Sequence, residues 1–359
     1  MWERYRPRQP KDTCEGSLDS SGRMFSYKEL KIATINFKSK LGSGGFGSVF
    51  IGSLAEGTLV AVKKLEGSKQ HEKQFRAEIS SLGSIQHGNL IRLRGFCAEG
   101  SESLLVYNYM PNGSLNSLLF KSKPKVLDWK TRFQIALGFL DESNPKIKPK
   151  VLDWKSRFKI ALGTARGLVY LHEECRDCII HGDIKPENIL LDGNFSPKLA
   201  DFGLSKLVGR DFSNVLTTTR GTRGFGITLL EIISGRISLD LSVQDSNQYY
   251  FPAWAAAQIC QGKMINIVDE NVAAEADVKE VRRASVVGLL CIETEEEKRP
   301  SMEQIMRMGE GKMEPQTLQM LNSAVVENQA NRTETESDSD SNDSVFIHFL
   351  FVSIGIVLF

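Results

Sequence analysis

Apolar positions recur along this chain with two periods. The shift from one to the other predicts a strand-rich first part and a helix-rich remainder. A short amphipathic helix is expected from Phe25 to about Phe37. Two β-type runs follow, Ser48–Ile51 and Leu59–Lys63, joined through the turn signal Glu56-Gly57. Over roughly Gln70–Ile85, the residues Phe75, Glu78, Ile79 and Leu82 share one helical face. A carboxylate on that apolar stripe is costly unless it is paired. Leu104–Tyr107 reads as a buried strand that turns out through Asn108–Gly113. Phe158, Ala161, Leu162, Ala165, Leu168, Val169 and His172 keep one face of a further helix. Beyond it, Gly193-Asn194 signals a hairpin between short strands. Helices are expected over Trp254–Gln261, Val278–Cys291 and Met302–Met308.

Two features break this pattern. The run 123–138 (KPKVLDWKTRFQIALG) recurs as 148–163, with 14 of 16 positions identical at a period of 25. Two copies are too few for a solenoid. The second copy leads directly into the next polar loop and belongs to the fold, so 123–147 reads as an insertion. At the far end, 333–344 (TETESDSDSNDS) is acidic and of low complexity, the composition of a disordered segment. Val345–Phe359 is almost wholly apolar. As a helix it would reach about 22 Å, short of a hydrocarbon core of about 30 Å. Membrane association through 345–359 therefore stays open, beside a cleaved tail or out-of-frame coding.

Composition narrows the classes. Lysines and arginines (45) balance aspartates and glutamates (44) to a net +1, so no basic field points to nucleic acid. The six cysteines are scattered, as in a reduced intracellular protein. Cys175 and Cys178 form a lone C-x-x-C with no second pair, and read as thiols at a helix end. The opening residues lack the apolar core of a signal peptide.

The chemistry concentrates in residues 179–203, IIHGDIKPENILLDGNFSPKLADFG. Asp183 and Asp201 sit on polar, turn-rich segments, with Lys185 and Asn188 two and five positions after Asp183. This spacing suits a reaction on a polyphosphate held by a divalent cation. One Asp lies by the attacking hydroxyl, while an Asn and a second Asp supply hard oxygen ligands to Mg²⁺. Upstream, Gly42, Gly44 and Gly47 give G-x-G-x-x-G, a spacing shared with dinucleotide-binding folds. In those folds the glycine turn opens a helix. Here β-type sequence continues, which makes a flap able to lay backbone N–H groups over phosphates. A plain glycine-rich hairpin would be the better reading without Lys63 in the next strand. With it, Lys63 becomes the natural partner of Glu78.

HGDIKPEN followed by DFG resembles the protein-kinase catalytic loop (H-x-D-x-K-x-x-N) and metal-binding motif. VAVKK is similar to the kinase lysine strand, and LLVYNYMPNGSL to the hinge. With FSYKELKIATINF, QFRAEISSLGSIQHGNLIRLRGFCAEGS and CIETEEEKRPSM, residues 25–310 resemble a plant receptor-like Ser/Thr kinase, in particular the kinase domain of the G-type (S-domain) lectin receptor-like kinases. The resemblance implies an α+β, bilobal protein-kinase fold. A small antiparallel sheet lobe with one helix (36–110) would sit on a larger, mainly helical and incomplete lobe (111–310). Residues 1–35 would be a juxtamembrane-like segment and 311–344 a polar tail.

It also implies ATP with Mg²⁺ (Mn²⁺ as the alternative), a protein substrate, receptor complexes, and a cytosolic kinase domain at the plasma membrane. By resemblance, Lys63 holds phosphates and Glu78 orients it. Asp183 serves the hydroxyl, Lys185 the γ-phosphate, and Asn188 and Asp201 the metal. Leu41, Gly42, Gly44, Gly47, Val49, Ala61, Tyr107, Asn108, Met110 and Leu190 would line the nucleotide site, with Tyr107 at its back.

Three departures qualify the resemblance. Gly182 stands where many kinases carry an Arg that clamps a phosphorylated loop, so activity would not depend on that switch. After Gly224 about twenty residues of the family pattern are missing, including the Asp that anchors the catalytic loop from the central helix and the Glu that pairs with Arg299; Arg299 is expected to be orphaned. The duplication adds apolar sequence beside the catalytic loop. Two functions follow: a Ser/Thr protein kinase, or a catalytically impaired pseudokinase or fragment that holds nucleotide and acts as an interaction module.

Overall fold

The structure, a computed structural model, describes residues 23–44, 47–65, 69–83, 85–120, 152–208, 210–239, 250–293 and 295–314. Its upper part is a six-stranded sheet of order β1-β5-β6-β4-β3-β2. The strands are β1 (Arg23–Met24), β2 (Lys40–Gly44), β3 (Gly47–Ser53), β4 (Leu59–Leu65), β5 (Leu93–Glu99) and β6 (Glu102–Asn108). All neighbours pair antiparallel except β1 with β5. Helix α1 (Tyr27–Ala33) starts at a capping box in which Ser26 and Glu29 satisfy each other's backbone N–H groups.

Strand alternation then divides the sheet's two faces. Val60, Val62, Leu104 and Val106 join Phe25, Leu30 and Cys97 in a small core on one side. The register sets Val49 opposite Lys63, Lys63 opposite Leu105, and Ala61 opposite Tyr107, all on the other face. Helix α2 (Lys69–Leu82) covers that second face, burying Phe75 and Leu82. Burial of each such side chain is worth about 1.5–3 kcal/mol.

The lower part is mainly helical. It comprises α3 (Asn116–Leu119), α4 (Trp154–Val169), the short strands β7 (Cys178–Ile180), β8 (Ile189–Leu191), β9 (Pro197–Leu199) and β10 (Lys206–Val208), then α5 (Arg210–Ser234), α6 (Phe251–Cys260), α7 (Glu270–Ala273), α8 (Val278–Cys291) and α9 (Met302–Gly309). Asp153 caps α4 through the Ser156 N–H. Arg157, 1% exposed, ties α4 to its surroundings. It donates to the carbonyls of Leu152 and Ile232 and pairs with Asp269 at 2.6 Å. The second copy of the repeat is thus part of the core, as its sequence predicts. The first copy lies outside the described residues.

Most expected elements are present within two or three residues of their predicted bounds, and the Gly193-Asn194 turn joins β8 to β9 as expected. The central helix is the exception. Sequence similarity begins it at about Phe225, yet α5 reaches back to Arg210. Residues Arg210–Gly224, which the resemblance assigns to the segment before that helix, are part of it. Glycines with poor helix propensity sit where neighbours come close. A Cβ at Gly226 would overlap Cys291, and one at Gly221 would overlap the His172 ring. The small residues therefore let α5 pack directly on α8 and on the turn after α4.

Arg299 corrects a second expectation. It is buried but not orphaned: its Nε donates to the Glu293 carbonyl at 2.6 Å, and Glu293 and Glu296 offset the charge of nearby Arg223. Cys175 and Cys178 are both buried and not joined to each other in a disulfide. Among the described residues no helix is long and apolar enough to cross a membrane; the segment 345–359 lies outside them.

Candidate functional site

Four segments bring the predicted polar side chains together. From β4, Lys63 Nζ reaches Glu78 of α2 at 2.6 Å and Asp201, after β9, at 2.8 Å. From the loop after β7, Asn188 Nδ2 donates to both the backbone carbonyl and the carboxylate of Asp183, each at 2.8 Å. Lys185 Nζ lies 2.8 Å from the same carboxylate. All six predicted catalytic and metal-facing residues therefore fall into two linked clusters. One is organised on Lys63 and the other on Asp183.

The electrostatics of the Lys63 cluster follow from burial. Desolvation pulls the Lys63 ammonium down, but Glu78 and Asp201 together outweigh it and hold its pKa above the ordinary value. Glu78 is fully buried and its carboxyl is raised by desolvation, which Lys63 counters only in part. Its second oxygen accepts from the Tyr107 hydroxyl, whose own pKa burial drives far up. With two donors on it, Glu78 is a satisfied buried anion rather than a bare one.

Tyr107 was placed by sequence at the back of the nucleotide pocket. Its bond to Glu78 was not foreseen, because only the strand register of Ala61 against Tyr107 aims the ring at α2. Two more contacts escaped the sequence. Ser81 of α2 meets Ser205 at 2.7 Å, and Ser205 also donates to the Phe202 carbonyl, so α2 is tied to the turn that follows Asp201. His181 braces the loop. One ring nitrogen contacts the Ala200 carbonyl at 3.0 Å and the other accepts from the Asp183 N–H at 3.3 Å, an arrangement that sets the tautomer with Nε2 as donor. Full burial lowers its pKa and keeps it neutral. A histidine flanked by apolar Ile179-Ile180 was the available signal.

Asp201 itself has a left-handed backbone, φ +65°. Such strain of about 1–3 kcal/mol persists where the surroundings over-determine it. The glycine flap is built as predicted, with Gly42 paired to Val49 and Gly44 to Gly47. Open space lies beside Gly42 and Gly44, where a Cβ would point. Gly47 has φ +120° and a Cβ there would overlap the Lys64 carbonyl, so only glycine fits. Leu41 is exposed at the flap. Val49 and Ala61 are half-buried on the face that carries Lys63, Asn108 and Met110 leave β6, and Leu190 lies on β8 of the lower part.

The missing anchor from the central helix has a neutral replacement. Thr228 of α5 donates to the Ile184 carbonyl at 3.3 Å, and Gly224 packs against Ile184. A single neutral bond of this length is weaker than a charge-assisted one.

A family model for the protein kinase domain matches residues 35–226. A G-type lectin S-receptor-like serine/threonine-protein kinase of Arabidopsis thaliana is 50% identical over 321 residues, covering 82% of this chain and 36% of that relative. The Arabidopsis protein SD2-2, of the same description, is 44% identical over 339 residues, 87% of this chain and 39% of its own length. A probable receptor-like protein kinase of that plant is 38% identical over 80% of this chain and 66% of its own. The chain spans a little over a third of the length of the first two.

Proposed function

The chain belongs to the protein kinase family, and on that footing we propose that it transfers the γ-phosphoryl group of ATP to serine or threonine hydroxyls of a protein. One observation carries the reading: Lys63 bridges Glu78 and Asp201 within 2.8 Å, on the face of the sheet that also carries the glycine hairpin β2–β3. In this assignment Lys63 leaves part of its pairing to hold the α- and β-phosphates, and Glu78 keeps it aimed. Asp183 orients the acceptor hydroxyl and takes its proton. Lys185, already beside Asp183, steadies the γ-phosphate. The apolar and backbone set Leu41, Val49, Ala61, Tyr107, Asn108, Met110 and Leu190 receives the adenine.

The donor set also suits a divalent cation. Asn188 spends its Nδ2 on Asp183, which leaves Oδ1, and Asp201 gives Oδ1 to Lys63, which leaves Oδ2. Two hard oxygens completed by phosphates fit Mg²⁺, with Mn²⁺ the alternative. Such an ion supplies charge neutralisation of the polyphosphate. By analogy with the relatives, the kinase domain works on the cytosolic face of a plasma membrane, within receptor complexes.

Two measurements test this. Mg·ATP should raise the melting temperature of the chain, and Lys63→Met should abolish the rise. Phosphate transfer to a generic basic protein should be measurable and should vanish in Asp183→Asn. A melting shift without transfer would overturn the transferase reading and leave a nucleotide-holding module. Absence of both would overturn the site.

A further inference from the structure

Where the chain leaves β6, a cleft of about 370 Å³ opens between the two parts of the fold. His87, Leu90 and Arg92 form one wall, Asn108 and Met110 another, and Lys198 of β9 closes it from below. The walls are cationic. Arg92 is exposed and has no carboxylate partner among the described residues. Arg94 donates to the Asn108 side chain at 2.6 Å, which adds its charge to the same wall. Lys198 donates to the Gly88 carbonyl, and Asp192 at 3.4 Å is its one carboxylate partner among the described residues. Glu174 is the carboxylate acting on His87, whose pKa burial lowers so that the ring stays neutral. Leu90 and Ile91 give the cleft an apolar floor.

We infer that this cleft seats the chain's own acidic run, residues 333–344. The run carries Glu334, Glu336, Asp338, Asp340 and Asp343 and no lysine or arginine, so its charge complements the walls. The described chain also ends beside the cleft. Glu310, which follows α9, accepts from Arg166 at 3.0 Å. Arg166 lies one helical turn before Tyr170, and the Tyr170 ring stacks on His87 at 4.7 Å. Residues 315–332 intervene, eighteen positions whose maximum span, about 60 Å fully extended, is ample for the run to reach the cleft. Because the run is covalently tethered to the same chain, its contact with the cleft is intramolecular, and weak ionic contacts gain from that. Seated there, the run would touch residues of both parts of the fold, Arg92 above and Lys198 below.

Carbodiimide cross-linking of the full chain, which joins a lysine amine directly to a carboxylate, tests the assignment by peptide mapping. The expected product links Lys198 to a carboxylate between Glu334 and Asp343. Its yield should fall at least about threefold when salt rises from about 0.05 M to about 0.5 M, as screening predicts. The Lys198–Asp192 product serves as the internal reference. Arg92→Glu should lower the tail product similarly at unchanged melting temperature. The double change Asp338→Asn, Asp340→Asn does so without touching the folded lobes. The inference is overturned if no Lys198–tail product forms at low salt, or if the tail couples equally to exposed Lys28 and Lys279. Products found only between isotopically labelled and unlabelled chains would also overturn it, and would assign the cleft to a second copy.

Discussion

Gly182, immediately before Asp183, offers the sharpest test of how the loop is held. Sequence comparison treats it as a lost arginine, whereas the structure gives a positive reason for glycine. Its φ is +82°, and a Cβ there would stand 2.8 Å from the Leu204 carbonyl oxygen. An L-residue in the left-handed region costs about 1–2 kcal/mol, and forcing backbone apart in a packed site adds about 1–3 kcal/mol. The neighbouring β7–β10 pair, Ile180 with Lys206, leaves the backbone little freedom to withdraw. Gly182→Ala should therefore lose about 3 kcal/mol in urea denaturation. At about 2–4 °C per kcal/mol for a domain of this size, melting should fall by roughly 6–12 °C. Gly182→Asn separates the two contributions, because Asn tolerates the left-handed region but keeps the Cβ contact; its loss should be about half. Gly182→Arg should lose stability and transfer rate together. A Gly182→Ala variant melting within about 2 °C of the parent would refute the backbone argument. So would a Gly182→Arg variant that is stable and gains dependence on phosphorylation.

Three other expectations follow from the cited contacts. Glu78→Gln removes a fully buried anion, so relief from desolvation offsets the lost pair and stability should change by less than about 1 kcal/mol; Lys63 then rests on Asp201 alone, and steady-state kinetics should show transfer down by more than about tenfold. Asp269→Asn keeps the cap on α7 but leaves the buried Arg157 guanidinium without its anion, which should cost about 3 kcal/mol in chemical denaturation. His172, buried with no partner at Nε2 among the described residues, has its pKa pushed down to about 4 from 6.5. The unfolded chain thus binds the extra proton first. The stability that neutral His172 contributes is complete above about pH 6.5 and is lost as pH falls toward 4, by at most about 3 kcal/mol. Denaturation of His172→Gln between pH 4 and 7.5 should show a flatter acid limb than the parent, and equal slopes would contradict the assignment.

The upper lobe was legible in the sequence because each local signal agreed with the next. Gly42-x-Gly44 read as a flap only because β-type residues follow it, and Glu78 read as a partner only because Lys63 precedes it by one strand. In the structure, capping boxes of Ser26 with Glu29 and of Ser301 with Gln304 fix where two of the expected helices begin. Side-chain bonds across elements were not legible, as with Tyr107 to Glu78 or Ser81 to Ser205, since they depend on register and helix rotation. Helix α5 misled for a different reason. Its first half holds threonines and glycines of low helix propensity, so local preference argued against it. Connectivity and packing against α8 and β7 overrode that preference. Arg299 was misjudged because a missing carboxylate in sequence does not preclude a backbone carbonyl in space.

Helix α5 begins at Arg210, only two positions after β10 ends at Val208. At 1.5 Å per residue its 25 residues make a rod about 37 Å long. In this chain that rod starts almost where the Asp201 turn ends, with no long tether to absorb movement. A tilt of that turn would be carried by the near end of the rod, and the rod's Gly226 lies against Cys291 of α8. The Asp201 turn and α8 are thus joined by one stiff element rather than by a flexible linker.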